Sequence, residues 1–108
     1  MIMSNFTNAE NAKLETLATS TLKRTGAKQA AALRDSTGRT YVAINVASPS
    51  LTLDAVEAVF TVALASQISG IEGVVLAGEK SANVKVIREH SSSAAIFHVD
   101  SDGSVSNL

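Results

Sequence analysis

Between Thr52 and Ser69 the residues Leu53, Ala55, Val56, Ala58, Val59, Phe60, Val62, Ala63, Leu64 and Ala65 leave almost no polar face. A helix that is apolar nearly all round has to be covered on most of its sides, and no other segment restricts the fold as much. The chain has 108 residues, long enough for one core that needs no disulfide or metal to close it. A domain of that size seldom buries such a helix alone. The reading is therefore of one domain over 1–108, with a central helix from Thr52 to Ser69, closed by Gly70, that also makes contacts between subunits. Composition agrees: 45% hydrophobic and 18% charged residues describe a globular chain with apolar surface to spare for a partner.

Around that helix the local signals are ordinary. Thr7-Asn8-Ala9-Glu10 reads as a capping box, after which Leu14, Leu17, Ala18 and Leu22 recur at helical spacing up to the stop at Gly26. Lys28 to Arg34 and Arg39 to Ala47 flank the turn-forming Asp35-Ser36-Thr37-Gly38 and form a hairpin. In its second strand Val42, Ile44 and Val46 share one face and Tyr41, Ala43 and Asn45 the other, with Pro49 ending the strand. Ile71 to Ala77, rich in Val and Leu without alternation, reads as an interior strand of the parallel kind. Ser81 to His90 is a short helix or a loop, and Ala94 to Val99 is the last strand. The order is helix, strand, strand, helix, strand, helix or loop, strand. It predicts an α/β domain with a mixed sheet and helices on both faces.

Several function classes lose support. A net charge of −1 with nine Lys plus Arg gives no basic face for nucleic acid. The stretch Met1 to Ser20 contains Glu10, Lys13 and Glu15 and no apolar run of leader length. Ala55 to Ala65, interrupted by Glu57 and Thr61, falls short of the roughly 18 residues of a membrane span. With no cysteine the expectation is a soluble, cytoplasmic protein. His90 and His98 lie too far apart for a typical metal site. Asp100-Ser101-Asp102-Gly103 opens like a calcium loop but has no room for the closing Glu, so it reads as a turn. No Gly-x-Ser-x-Gly elbow exists, and Gly70, Gly73 and Gly78 match no nucleotide-binding spacing.

The segment Gly38 to Ala65, running through Asn45-Val46-Ala47-Ser48-Pro49-Ser50-Leu51-Thr52-Leu53-Asp54-Ala55-Val56, resembles the small bacterial cytidine deaminases. Their pattern is Gly, an aromatic, Asn-Val-Glu, then Cys-Ala-Glu on a helix, then Pro-Cys-x-x-Cys. The resemblance implies a three-layer cytidine deaminase-like fold that assembles as a dimer or tetramer through the central helices. Placed without gaps, Asn45 falls on the family's ribose-binding Asn, Tyr41 on the aromatic strand position and Ala47 on a ribose-binding Glu. Val56 falls on the first metal ligand and Ala58 on the proton-shuttling Glu. Zinc deaminases need a His or Cys there, two further Cys and an unligated Glu, and none of these residue types is in place. Glu57 stands one residue from the shuttle position, but one helical step turns a side chain by about 100 degrees, and Glu57 and Asp54 also suit the positive end of the helix dipole.

The expectation is a member of this family without metal, cofactor or catalytic residues, in which Tyr41, Asn45 and Glu57 are the candidate remnants of a ligand site. Three roles follow. One is an oligomeric scaffold, with an unidentified protein partner as a further possibility. The second is a nucleoside or nucleotide sensor built on Asn45, and the third an atypical hydrolase using Asp54 or Glu57.

Overall fold

In the computed structural model, which describes residues 6–108, Asn8 opens the first helix, α1 (Ala9–Thr25). Its side-chain oxygen accepts from the amides of Glu10 and Asn11. The N-cap is thus one residue later than the Thr7 capping box predicts. Asn caps as well as Thr does, and Glu10 is then free to pair with Lys13 at 3.2 Å. Gly26, at φ 67, ends the helix in the left-handed conformation. The first five residues, which belong to the stretch read for a leader, lie outside the described residues.

Two strands follow, β1 (Gln29–Asp35) and β2 (Thr40–Ile44), paired antiparallel from Arg34↔Thr40 to Ala30↔Ile44. This is the hairpin that the turn residues predict. Asp35 closes it: one carboxylate oxygen accepts from the Thr37 amide and hydroxyl and from the Arg39 amide, and the other from the Tyr41 hydroxyl. The chain then leaves the sheet at Asn45 and forms a small ribbon, β3 (Val46–Ala47) against β4 (Thr52–Leu53).

The central helix, α2, runs only over Ala55–Ala65, shorter at both ends than the predicted Thr52 to Ser69. Thr52 and Leu53 belong to the ribbon, and Asp54 is a better cap than either. At the other end the chain turns at Gln67, which takes the left-handed φ of 61, so the reversal comes before Gly70. Coverage is also less complete than expected: Ala55, Val56, Ala58, Val59 and Ala63 are buried, while Thr61, Val62, Leu64 and Ala65 are exposed.

Beyond α2 come β5 (Ile71–Gly78), α3 (Lys85–His90), β6 (Ala95–Val99) and β7 (Val105–Asn107). The five-stranded sheet has the order β2-β1-β5-β6-β7. β5 is central, antiparallel to β1 and parallel to β6, so the predicted parallel character holds on one side. Asp100 to Gly103 forms the turn into β7, which pairs antiparallel with β6.

Alternation along the strands divides the core into two halves. Leu14 and Ala18 of α1 pack with Ala32, Val75, Ala77 and Val99 on one face. On the other, Val56 and Val59 of α2 and Ile87 of α3 pack with Ala31, Leu33, Val74, Leu76 and Ile96. The result is three layers, helix, sheet and helices. No helix among the described residues is long and apolar enough to cross a membrane.

Candidate functional site

One end of the sheet gathers Gln29 and His98, two of the buried polar side chains. Gln29 opens β1 opposite Gly78, the last residue of β5. The chain continues from there into residues 79–84, which meet the N-terminus of α2. This is where the carboxyl ends of the parallel strands β5 and β6 lie, the usual location for ligands in sheets with crossover helices.

Gln29 is only 4% exposed and joins three segments. Its side-chain nitrogen donates to the carbonyls of Glu79 (2.8 Å) and Ser81 (2.7 Å). The side-chain oxygen accepts from the amide of Ala55, the first residue of α2. Its backbone amide donates to Oδ1 of Asn45 at 3.1 Å. A buried carboxamide with unmet hydrogen bonds would cost about 1–3 kcal/mol, and here both polar atoms of the side chain are engaged.

At the start of α2 Asp54 and Glu57 form a complete capping box. The Glu57 amide donates to Asp54 Oδ1 (2.8 Å) and the Asp54 amide to Glu57 Oε1 (2.9 Å). The remaining oxygens face the loop before α3. Asp54 Oδ2 accepts from the Asn83 amide (2.8 Å), and Glu57 Oε2 from the Asn83 side-chain nitrogen (3.1 Å). Every carboxylate oxygen at the helix start therefore accepts a hydrogen bond. The Asp54 amide and then the Asn83 side chain hold the Glu57 carboxyl below its ordinary range, against the opposing effect of burial.

These residues do not fit a zinc ion. Each carboxylate oxygen already accepts a hydrogen bond, the other polar groups are carboxamides, and among the described residues no three His, Cys, Asp or Glu side chains come together. Val56 and Ala58, at the positions that the resemblance gives to the metal ligand and the proton shuttle, are 0% and 5% exposed. Val56 packs in the α2 half of the core.

Of the predicted ligand residues, Tyr41 and Asn45 sit at opposite ends of β2, four residues or about 13 Å apart along the strand. The Tyr41 hydroxyl donates to Asp35 Oδ2 at 3.1 Å, and burial first, then the Asp35 carboxylate, raise its pKa. Asn45 joins the Gln29 node and Glu57 caps α2. The fold brings Asn45 and Glu57 to the same end of the molecule and leaves Tyr41 at the other.

Two participants went unread in the sequence, Gln29 and Asn83. Gln29 heads an apolar run, Ala30-Ala31-Ala32-Leu33, and a polar residue at the head of a fully buried strand is the available signal. A second buried polar side chain lies near Gln29. His98, 1% exposed, places Nε2 2.7 Å from the Gly78 carbonyl. A carbonyl only accepts, so the proton lies on Nε2. Its Nδ1 has no hydrogen-bond partner among the described residues and stands 3.9 Å from Asp100 Oδ1. Away from this end, a shallow cavity of about 100 Å³ is lined by Arg88, Ala95, Ile96, Phe97 and Asn107.

Comparison with known proteins agrees with the architecture. The family model described as Cytidine deaminase-like matches residues 7–103. Among solved structures, the 1.6 Å crystal structure of cytidine deaminase from Burkholderia pseudomallei superposes with a TM-score of 0.71 at 16% identity, covering 90% of this chain and 90% of that one. Comparison with curated protein sequences returns no match.

Proposed function

Because the chain belongs to the cytidine deaminase-like family, we propose that it keeps that family's fold without the zinc-dependent deamination. On this reading the fold serves as an oligomeric scaffold that pairs copies of the chain through α2. One observation carries the proposal: Val56 and Ala58, which the resemblance places at the metal-ligand and proton-carrier positions, are core residues. Deamination of a cytosine ring needs a metal-activated water and a carboxylate to move its proton. An isopropyl and a methyl group supply neither.

The assembly part draws its support from the other side of α2. Val62 and Leu64 are 44% and 42% exposed, on a helix where the exposed stretch also holds Ala65 and no charged residue. Val62 and Leu64 stand two residues and so about 200 degrees apart round the helix, on the two flanks of the exposed face that carries Thr61 and Ala65. Apolar side chains left exposed on a small domain suit burial against a second copy, and most soluble oligomers close by self-complementary contacts.

A nucleoside sensor built on Asn45 has less support, since that carboxamide oxygen already holds the Gln29 amide. A hydrolase using Asp54 or Glu57 would draw on a carboxylate that already accepts two hydrogen bonds, one on each oxygen.

Light scattering at micromolar concentration tests the proposal. The wild type should show the mass of a dimer or tetramer, and the double substitution Val62→Glu, Leu64→Glu should reduce it to a monomer that remains folded by circular dichroism. A strictly monomeric wild type, or a double variant with unchanged mass, would rule out pairing through α2.

A further inference from the structure

A metal held by ligands from two segments is a cross-link as well as a reagent. In zinc deaminases the ligands come from the start of one helix and from the Pro-Cys-x-x-Cys segment. Gln29, Asp54, Glu57 and Asn83 do not fit such an ion, yet here too the start of a helix, α2, is joined to a second segment, residues 79–84. We infer that Gln29, Asp54, Glu57 and Asn83 form a hydrogen-bonded clasp that does the metal's structural work, fastening residues 79–84 to the start of α2 without any ion.

The geometry supports this in three ways. First, the bonds run between segments: Asn83 reaches Asp54 and Glu57 across 29 and 26 residues, and Gln29 reaches Ser81 across 52. A helix needing only a cap would be satisfied by the Asp54–Glu57 reciprocal pair, which is local. Second, the second oxygen of each carboxylate turns to the same residue, Asn83, one meeting its backbone and the other its side chain. Bonds to ionised acceptors are the stronger kind. Third, apart from the Glu79 amide on the Lys28 carbonyl and the packing of Ala82 and Val84 against the core, the clasp supplies the loop's ties to the fold. Glu79, Lys80 and Ser81 are exposed, α3 that follows has six residues, and its N-cap, Val84, makes no side-chain capping bond. The clasp is independent of the assembly reading, since a monomeric chain would keep it.

Limited trypsin digestion of the full chain tests the inference, because Lys80 lies exposed inside the fastened loop and Lys13 lies exposed on α1, well away from it. Local opening sets the cleavage rate when reclosing is fast. The substitutions Asn83→Ala and Asp54→Ala should each speed cleavage after Lys80 by about tenfold, the loss expected for a bond to a charged group, and leave cleavage after Lys13 unchanged. A strong chelator should leave the wild-type rate at Lys80 unaltered. Equal acceleration at Lys13 and Lys80 would mean that the residues only support global stability, and would overturn the inference. So would unchanged cleavage at Lys80 in both variants, or chelator-induced cleavage of the wild type. Should Asp54→Ala fail to fold, Asn83→Ala alone decides, since it keeps the backbone bond to Asp54 and removes only the side-chain bond to Glu57.

Discussion

The first amide of α2, that of Ala55, donates to the side-chain oxygen of Gln29 at 3.0 Å across 26 residues of sequence. A helix start ordinarily relies on water or a nearby cap for its free amides. Here a residue of the sheet provides one acceptor, so the position of α2 is coupled to the register of β1.

Replacing Gln29 by Leu removes that acceptor and both donors to the 79–81 carbonyls while keeping much of the volume. The expected loss is about 2–4 kcal/mol, from several buried groups left without partners. Urea denaturation reads it. A change within 0.5 kcal/mol of zero would mean that water satisfies these groups.

Asn45→Ala separates a capping residue from a ligand residue. If Asn45 serves mainly to hold the Gln29 amide, the variant should lose about 1–2 kcal/mol. Titration calorimetry with cytidine, uridine and their monophosphates should show weak or no heat in wild type and variant alike. A low-micromolar isotherm in the wild type that the substitution abolishes would favour the sensor reading.

Gly78 takes φ 96, and a Cβ there would collide with the Lys28 carbonyl. Gly38 has φ 90 with open space around it. Gly78→Ala should therefore cost at least about 3 kcal/mol, combining left-handed strain with a backbone clash, whereas Gly38→Ala should cost about 1 kcal/mol from conformation alone. Equal losses in parallel urea melts would contradict the packing at the β1–β5 end.

Acid should weaken the fold chiefly through two carboxylates, since a third that is held low, the exposed Asp102 beside Ser104, is screened by solvent. Glu57 is held low by the Asp54 amide and then Asn83. For Asp35 burial acts to raise the pKa, but the hydrogen bonds from Thr37, Arg39 and Tyr41 together outweigh it. Groups with depressed folded values add stability that is complete above their unfolded pKa and is lost as pH falls through the folded one. Stability should thus be flat near neutrality and decline below about pH 4. In Glu57→Gln the decline should be shallower. An acid limb of unchanged slope in that variant would exclude Glu57 as a contributor.

Much of this fold was legible in the chain because its signals are local. The Leu14, Leu17, Ala18 and Leu22 stripe, the Asp35 to Gly38 turn and the alternation of Val42 against Tyr41 each fix an element from neighbouring residues. The ribbon was not legible: Thr52 and Leu53 continue an apolar helical pattern, and only pairing with Val46 and Ala47 makes them a strand. Nor was β7, whose three residues include a single apolar one, Val105, and whose strand character comes from β6. The site divided the same way. The spacing of Asp54 and Glu57 carries a capping box, but the reading from sequence sets both inside the helix as partners of its dipole, and Gln29 and Asn83 act through partners 26 to 52 residues away. No periodicity carries that information.

Ammonia release from cytidine and deoxycytidine, with zinc supplied at a small excess over protein, tests the central claim most directly. The account predicts the same rate as in the absence of protein, because the resemblance puts Val56 and Ala58 where the chemistry needs a metal ligand and a proton carrier. Steady turnover that requires zinc and disappears in Glu57→Gln would contradict it.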